Sequence, residues 1–486
     1  MSTLAASARE PQRVNCARVF ISVAEESADV HAAALVRAAR ARLPGVEFYG
    51  LTGPRLRELG VETVYDFVSH AAMLGSVLGV LGRAYQAVKA VKRSWQERRP
   101  DLVLLLDSPE LHLRLAQKAK QLGIPVLYYI APQTWAAREY RNRRIVRDIH
   151  RLACILPFEE EYFQRAAHPS RDRQGADPSP ERQRVGPDPS PNGRRGSTEE
   201  GIAGSRDQGT NGFRAEYVGH PLFETLRREQ PVPGTVEFLK LRAADRPIVA
   251  LLPGSRVHVI DTLLPMQLEV VRRLRAAGHD VYAAISCVSD VRREQIRSLV
   301  RASLVRESLL APGSAGIPSR AEPDGNPAEL GAEKEFSAQP IDMADAGIDV
   351  VIADNASLLA AADLVLVASG TATLHVAYYR KPMIVMYDAG RLLALLSRLF
   401  GRFVLQTPHL SLLNILAGAR VVPEFMPFVR DLGQVAAVAG QLLTDATWRN
   451  LMVQQIDAVV RPLESSDASA NVCRLMAETL RPADRR

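Results

Sequence analysis

Residues 101–131 read DLVLLLDSPELHLRLAQKAKQLGIPVLYYIA and pass from a strand pattern to a helix pattern and back. The Val and Leu run after Asp101 predicts a buried strand, the stretch from Pro109 to Leu122 predicts a helix, and PVLYYIA predicts a second strand. Two strands joined by a helix in this way are parallel, and helices cover both faces of their sheet. This stretch therefore predicts an α/β fold built on a parallel sheet.

The same alternation continues on both sides of this stretch. Upstream lie ARVFISVA, a helix pattern from about Asp29 to Arg42, and VEFYGLT, while RLACIL lies downstream. The second half of the chain has helix patterns between PIVALLP, DVYAAIS, IDVVIA, ADLVLVAS and PMIVMYD. Because 486 residues are enough for two or three domains, we expect two doubly wound α/β domains that meet near residues 221–247.

Two segments interrupt this pattern. Residues from about 168 to 212 and from about 311 to 339 contain few large apolar side chains and many Pro, Gly, Ser and charged residues. Such segments cannot bury a core, so we expect both to be disordered inserts. The expected domains are residues 17–221 and 222–425, followed by C-terminal helices over residues 426–486.

The composition argues against several classes of protein. Hydrophobic residues make up 47% of the chain, as in ordinary globular proteins. The net charge of +7 is accompanied by only 6% aromatic residues, so no nucleic-acid partner is expected. The four cysteines form no C-x-x-C pair, which argues against a zinc knuckle or a disulfide framework and favours a reducing compartment. The charged N-terminus is unlike a secretory signal, and no apolar run reaches the roughly 20 residues of a spanning helix.

Unusual residues follow four of the predicted strands, at the strand ends where doubly wound domains bind their ligands. The first motif is VAEESADVH, residues 23–31, in which Ser27 or Asp29 is either the N-cap of the next helix or part of a site. The second is LLLDSPELH, residues 104–112, in which Asp107 is either a helix cap or a general base. The residues alone leave both alternatives open.

The other two strand ends are rich in small residues. In LLPGSR, residues 251–256, Gly254 lets the backbone approach an anion and Arg256 can bind two phosphate oxygens. In VASGTATLH, residues 367–375, amides and hydroxyls are available from Ser369, Gly370, Thr371 and Thr373. Small residues also serve helix packing, but two such loops in one domain favour an anion site.

The usual signatures of nucleotide and metal binding are missing. The chain has no GxxxxGK[ST] motif, no GxGxxG after a strand and no Asp-x-Asp pair that could hold a divalent metal on a diphosphate. We therefore expect a diphosphate that is held by helix N-termini and Arg256, with no metal and no other cofactor.

Two further segments have more than one interpretation. Residues 71–95, AAMLGSVLGVLGRAYQAVKAVKRSW, are typical of a core helix but also suit a helix at a membrane interface. The basic cluster at residues 138–151 is either a solvated helix face or a surface that attracts anionic lipid or phosphate. The candidates for membrane contact are Met73, Leu74, Val77 and Leu78.

Further motifs join these strand ends in a fixed order along about residues 19–424, with the two inserts excluded. They are E-x-S-x-D-x-H at Glu25, TGPRLRELG at Thr52, MLG at Met73, Asp-x-Pro at Asp107, YYIAPQTWA at Tyr128, LPFEEEYF at Leu156, YVGHPL at Tyr217, LLPGSR at Leu251, SGTATL at Ser369, NILAG at Asn414 and VPE at Val422. This ordered set resembles the lipid-A-disaccharide synthase family. Single motifs are modest signals, but the set is highly specific.

The resemblance implies an inverting glycosyltransferase of GT-B type, with two Rossmann-like domains facing across a cleft. The N-terminal domain would bind 2,3-diacylglucosamine 1-phosphate, lipid X, on the cytoplasmic face of the inner membrane. Asp107 would take the proton from the acceptor's 6-hydroxyl. The other acceptor-side candidates are Glu25, Ser27, Asp29 and His31.

The C-terminal domain, by the same resemblance, would bind the donor UDP-2,3-diacylglucosamine. The candidates for nucleotide-sugar binding are Gly254, Ser255, Arg256, Ser369, Gly370, Thr371, Thr373 and Asn414. The products would be lipid A disaccharide 1-phosphate and UDP. A homodimer is an open alternative to a monomer.

The chain departs from the family pattern at several positions. Two glycines, an asparagine, two glutamates and a glutamine of the pattern are replaced, in that order, by Ala24, Ala28, His112, His375, His258 and Pro427. An altered donor specificity, or binding of sugar nucleotide or lipid without catalysis, is therefore the alternative hypothesis. A UDP-sugar epimerase on a similar two-domain frame is a third.

Overall fold

The structure is a computed structural model that describes residues 17–67, 77–168, 212–310, 346–388 and 409–480. The two inserts expected to be disordered lie outside the described residues, apart from the end residues 168 and 212 of the first. Within the described part, no helix is both long enough and apolar enough to cross a bilayer.

Strands and helices alternate along the chain as the sequence predicts. The strands are β1 (Ala17–Ser22), β2 (Val46–Thr52), β3 (Glu62–Asp66), β4 (Leu102–Leu106), β5 (Val126–Tyr129), β6 (Arg151–Cys154), β7 (Arg214–Tyr217), β8 (Ile248–Leu252), β9 (Tyr282–Cys287), β10 (Ile348–Ile352), β11 (Leu364–Ala368), β12 (Met383–Met386) and β13 (Glu424–Phe425). The helices are α1 (Glu26–Arg42), α2 (Pro54–Glu58), α3 (Val77–Glu97), α4 (Pro109–Gln121), α5 (Asn142–Asp148), α6 (Pro157–Ala167), α7 (Pro221–Arg228), α8 (Pro233–Ala243), α9 (Val257–Ala276), α10 (Asp290–Leu310), α11 (Asn355–Ala361), α12 (Thr371–Tyr378), α13 (Leu412–Ala417), α14 (Leu432–Thr444), α15 (Ala446–Glu464) and α16 (Ala468–Leu480).

The strands form two parallel sheets. One has the order β3-β2-β1-β4-β5-β6-β7 and the other the order β10-β9-β8-β11-β12-β13. In each sheet the chain first winds outward in one direction and then returns to wind in the other. The prediction of two doubly wound α/β domains is confirmed. The direction changes between β1 and β4 in the first sheet and between β8 and β11 in the second.

The central strands explain why their sequences are so apolar. Every residue of β4, β8 and β11 is buried, because helices cover both faces of each sheet. On the first sheet, α1 presents a face of small side chains, among them Ala28, Ala32 and Ala39. Small side chains let a helix approach a sheet closely, which is the packing that an alanine-rich helix favours.

The chain divides into two compact units, and the division assigns the C-terminal helices to both. One unit runs to Gly219 and resumes at Asp467, and the other is His220–Ser466. Residues 426–486, treated as one segment in the sequence analysis, are therefore shared between the units. In the first unit, α16 packs against α1, and Asn471 Nδ2 donates a hydrogen bond of 2.9 Å to the carbonyl of Val218.

Candidate functional site

The four predicted motifs follow four particular strands. VAEESADVH and LLLDSPELH follow β1 and β4, which are neighbours in the first sheet. LLPGSR and VASGTATLH follow β8 and β11, which are neighbours in the second. Both pairs flank the point where the strand order reverses, which is where open α/β sheets leave a crevice for ligands. Each unit thus has one candidate site at the expected edge.

Asp107 lies in a tightly held turn at the end of β4. Asp107 and Ser108 both adopt left-handed backbone conformations, with φ of 54° and 47°. The carbonyl of Asp107 accepts hydrogen bonds from the Tyr128 hydroxyl and from His112 Nδ1, the latter at 2.6 Å. Strained conformations persist when surrounding contacts fix them, and here two buried side chains hold one carbonyl.

The hydrogen-bond partners of His112 define its tautomer. A carbonyl only accepts, so Nδ1 carries the proton, and Ser22 at the end of β1 donates its hydroxyl to Nε2 at 2.8 Å. Burial lowers the pKa of His112 to about 4, so the ring is neutral at pH 7. This buried network connects the ends of β1 and β4 directly beneath the Asp107 turn.

Asp107 is not the N-cap residue of α4. The N-cap position is Ser108, whose own side chain makes no capping hydrogen bond. Asp107 precedes the cap and is half-buried. A half-buried carboxylate at the carboxyl edge of a sheet is suited to accept a proton from a bound hydroxyl.

A cluster of charges lies beside this turn. Glu110, in the first turn of α4, accepts hydrogen bonds from Arg138 at 2.5 Å and from Arg141 at 2.6 Å. The hydrogen bond from Arg141 lowers the pKa of Glu110, so this carboxylate is ionised. Glu110 is thus the counter-ion of two guanidinium groups.

Asp29 has a structural role. Its buried carboxylate accepts hydrogen bonds from the amides of Gly53, Arg55 and Leu56 at 3.2, 2.7 and 3.3 Å, which caps α2. Burial raises the pKa of Asp29. A Cβ at Gly53 would lie 2.4 Å from the carboxyl carbon of Asp29, so this position requires glycine. Asp29 therefore holds the fold at the edge of the site.

The other acceptor-side candidates differ in exposure. Glu25 occupies the N-cap position of α1 without a side-chain cap, so the expectation that Ser27 or Asp29 caps this helix is wrong. Glu25 and Ser27 are exposed. Nδ1 of His31 is shielded without a hydrogen-bond partner among the described residues, and burial lowers the pKa of His31 to about 4. Glu25 and Ser27 are thus the candidates open to a ligand.

The two loops of the second unit lie side by side. Leu252 pairs with Val367, so the loops leave β8 and β11 at the same level. Gly254 has φ of 102°, and a Cβ there would lie 3.2 Å from Val259 Cγ1 and 3.6 Å from Ala368 Cβ. This glycine is needed for both its conformation and its close packing. The exposed Ser255 and Arg256 follow it.

Two helices begin at these loops, α9 after Arg256 and α12 after Gly370. Neither has an acidic residue in its first turn, although such residues are favoured there. The positive ends of both helices therefore have no carboxylate of their own in that turn. Gly370 has φ of 130°, and the buried Thr373 donates its hydroxyl to the carbonyl of Gly370 at 2.7 Å. Thr373 thus shapes the turn, while Thr371 is exposed.

Asn414 is buried and makes its hydrogen bonds within the protein. Its amide nitrogen donates to the Val422 carbonyl and to Glu424, and its oxygen accepts from the amides of Val421 and Val422. Burial alone would raise the pKa of Glu424, but hydrogen bonds from Ser411 and Asn414 lower it. Asn414 therefore organises the loop before β13.

Sequence reasoning missed several buried groups around the site. Tyr128 and Trp135 both belong to the quoted motif YYIAPQTWA, which could have drawn attention to them. Trp135 Nε1 donates at 3.0 Å to Glu159, whose other oxygen accepts from two backbone amides.

His375 is neutral, because burial lowers its pKa to about 4. Among the described residues, no three or more His, Cys, Asp or Glu side chains form a group that could hold a metal ion.

Comparison with known proteins adds a family match. A family model described as lipid-A-disaccharide synthetase matches residues 19–171, 208–316 and 340–472. Three proteins named lipid-A-disaccharide synthase are similar over most of their lengths. The one from Myxococcus xanthus is 29% identical and covers 96% of this chain and 99% of its own. That from Nitrosococcus oceani is 30% identical (95% and 97%), and that from Solibacter usitatus is 32% identical (84% and 83%).

Solved structures share the fold at low sequence identity. A Staphylococcus aureus MnaA–UDP co-structure has a TM-score of 0.55 at 10% identity, covering 95% of both chains. The N-terminal domain of Candida albicans trehalose-6-phosphate phosphatase has a TM-score of 0.53 at 10% identity, covering 96% of both. These similarities concern the fold alone, which is the GT-B type with two Rossmann-like domains.

Proposed function

Because this chain belongs to the lipid-A-disaccharide synthase family, we propose that it joins UDP-2,3-diacylglucosamine to 2,3-diacylglucosamine 1-phosphate. The products are lipid A disaccharide 1-phosphate and UDP. The observation that carries this proposal is the position of the four motifs, two at each point of strand reversal. A carboxylate stands at one point and two helix N-termini with an arginine stand at the other. An acceptor hydroxyl and a donor diphosphate require these two kinds of group.

The first unit supplies the base. Asp107 accepts the proton of the acceptor's 6-hydroxyl as that oxygen attacks the anomeric carbon of the donor. The bond from this carbon to the UDP oxygen breaks, and the configuration inverts. His112 and Tyr128 hold the Asp107 carbonyl, which limits the positions that the carboxylate can take.

The second unit stabilises the leaving group. Negative charge develops on the diphosphate as the bond breaks, and fixed amides and a guanidinium can stabilise it without moving. The amides at the start of α9 and α12 and the Arg256 side chain carry this role. Gly254 and Gly370 allow the backbone to present those amides.

The membrane contact is proposed for the segment that follows Met73. Met73 and Leu74 lie outside the described residues, and Val77 and Leu78 begin α3. In the later part of α3, Ala87, Val91 and Trp95 are buried, so the core interpretation holds for that part. Its opposite face carries the exposed Lys89, Lys92 and Arg93. These cations support attraction to the anionic inner membrane surface, on its cytoplasmic side.

The test is to incubate the purified full chain with both substrates in neutral-detergent micelles and to measure UDP and disaccharide. The variant that tests the base is Asp107→Asn, which keeps the shape of the side chain, and Glu110→Gln is its matched control. We expect the turnover of Asp107→Asn to fall by roughly 10²–10⁴-fold with unchanged UDP affinity, because the loss lies in the transition state. Glu110→Gln should keep substantial turnover. A wild-type protein that binds UDP but forms no disaccharide would favour the alternative of binding without catalysis.

A further inference from the structure

Arg138 and Arg141 form a pair of guanidinium groups that share one carboxylate oxygen. Arg138 Nη1 lies 2.5 Å and Arg141 Nη2 lies 2.6 Å from the same atom, Oε1 of Glu110. Two positive charges thus meet one negative charge. The second carboxylate oxygen makes neither of these contacts. The three side chains together have a surplus of one positive charge.

The partners of this cluster differ strongly in burial. The Arg141 side chain is 12% exposed, whereas that of Glu110 is 71% exposed. The protein therefore holds the Arg141 guanidinium in place, while the carboxylate lies on top of it and faces solvent. Ion pairs with an exposed carboxylate contribute little to stability, so another anion can displace Glu110 at small cost.

The pair lies beside the proposed catalytic base. Glu110 is three residues from Asp107, across the turn that begins α4. Burial raises the pKa of Tyr128 well above its ordinary value, the charges of Asp107 and Glu110 raise it further, and that of Arg141 lowers it. All three charges therefore act on the phenol that holds the Asp107 carbonyl. An acceptor sugar whose 6-hydroxyl meets Asp107 brings its own anionic group near the pair.

We propose that Arg138 and Arg141 bind the phosphate monoester of the acceptor and that Glu110 occupies the pair until the acceptor arrives. This inference rests on the proposed function. A phosphate monoester carries about −1.5 to −2 charges at pH 7, which matches two guanidinium groups better than a single carboxylate does. Planar guanidinium groups also bind phosphate oxygens in a two-pronged geometry. The pair thus selects an acceptor that carries a phosphate.

The test compares 2,3-diacylglucosamine 1-phosphate with phosphate-free 2,3-diacylglucosamine in neutral-detergent micelles, with saturating donor for the KM and without donor for the dissociation constant. We expect Arg141→Ala to raise the KM and the dissociation constant of the phosphorylated acceptor about tenfold or more. The values for the phosphate-free acceptor and for the donor should stay unchanged. Arg138→Ala, at a side chain that is 58% exposed, is the variant that keeps the fold if Arg141→Ala does not. Arg143→Ala, on the exposed face of α5, is the matched control and should change neither acceptor.

Glu110→Gln gives the opposite expectation. Removing the resting counter-ion should lower the KM of the phosphorylated acceptor and leave that of the phosphate-free acceptor unchanged. Equal effects of Arg141→Ala and Arg138→Ala on both acceptors, or no effect on either, would overturn the proposal. So would loss of flotation on anionic vesicles with unchanged acceptor binding in micelles, because the pair would then bind lipid headgroups. Acceptor binding is measured without turnover, so absence of disaccharide counts against the proposed reaction alone.

Discussion

The Asp107 turn shows how one residue's backbone can matter as much as its side chain. Asp and Asn tolerate the left-handed conformation better than most residues. Here Asp107 and Ser108 adopt it in succession, so this turn still needs support from its surroundings. The support comes from His112 and Tyr128, which meet at one carbonyl. His112 stands where the family pattern has asparagine. An asparagine places its amide nitrogen close to where the Nδ1 of histidine lies, so this departure keeps a donor for the carbonyl.

We predict that His112→Leu lowers kcat by about tenfold or more, because Asp107 loses one of its two anchors. The Asp107 carbonyl keeps its hydrogen bond from Tyr128, but the buried Ser22 hydroxyl loses its acceptor, which should also cost about 1–3 kcal/mol of unfolding free energy. His112→Asn keeps the donor to Asp107 and should retain most of kcat. UDP affinity should not change in either variant. Steady-state kinetics and denaturant unfolding measure these effects, and equal kcat values for the two variants would show that the anchor does not act on catalysis.

A second prediction concerns Glu159, which is fully buried beneath Trp135. Burial raises the pKa of Glu159 to about 7 from an ordinary 4.5. Between these values the folded state binds a proton that the unfolded state releases, so stability falls as pH rises from about 4.5 to 7. The unfolding free energy of Glu159→Gln relative to wild type should therefore rise by about 3 kcal/mol from pH 4.5 to pH 8.

The control for this prediction is Glu161→Gln on the same helix, whose side chain is 71% exposed. Chemical denaturation at several pH values measures both variants. Only the difference between variant and wild type is compared, so other titrating groups cancel. A constant difference for Glu159→Gln over this range would mean that the three N–H donors keep the carboxylate charged in the fold.

At the scale of elements, the central strands could be predicted from the sequence, whereas among the described edge strands only β10, with the largely apolar sequence IDVVI, could be. The predictions omitted β3, β7 and β13, with sequences ETVYD, RAEY and EF. All three lie at sheet edges, where charged residues prevent pairing with other chains and hide the apolar pattern. The central strands are buried on both faces, so their sequences are continuous apolar runs.

The position of the candidate site could be predicted from the sequence, but the roles of several of its residues could not. The four motifs were visible because strand ends and small residues are local signals. The inward roles of Asp29 and Asn414 were not visible, because their partners lie outside the motifs that contain them. The sequence alone does not distinguish a polar residue that binds a ligand from one that hydrogen-bonds to a loop of the protein.

The start of α12 provides a prediction about helix geometry. An added Cβ at Gly370 meets no atom within 4 Å, so Gly370→Ala costs only backbone strain, on the order of 1–3 kcal/mol. Relief of that strain rotates the amides that begin α12, and UDP should bind about tenfold more weakly. Gly278→Ala is the matched control, since Gly278 also has a positive φ and an open Cβ position but follows the C-terminal end of α9. Calorimetric titration with UDP separates the two, and equal losses of affinity would remove the start of α12 from the donor site.

For the molecule as a whole, part of the basic excess serves the edge of the second sheet that lies opposite the motifs. Helices end at that edge, and their carbonyls concentrate negative charge there. Lys381 donates to the Ala360 carbonyl at the end of α11, and Arg449 donates to the Leu442 and Leu443 carbonyls at the end of α14. These contacts give two of the chain's cations a structural use at helix ends.

The last two helices of the described chain belong to different units. The chain leaves the first unit after Gly219 and returns to it at Asp467, so the consecutive helices α15 and α16 belong to different units. Each buries one methionine, Met452 in α15 and Met476 in α16. Replacing a buried methionine with alanine typically costs about 2–5 kcal/mol. Met476→Ala should therefore accelerate amide hydrogen exchange in α1 and β5, and Met452→Ala should accelerate it in α12 and α13.

This pair of variants is its own control, because the substitution, the burial and the region of the chain are matched. Hydrogen exchange followed by mass spectrometry reports which segments lose protection. UDP binding, a property of the second unit in the proposed function, should survive Met476→Ala better than Met452→Ala. If both variants accelerate exchange in the same unit, residues 426–486 act as one segment, as their sequence had suggested. If each variant affects its own unit, the C-terminal helix is an integral part of the unit that carries Asp107, and its loss would impair acceptor chemistry before donor binding.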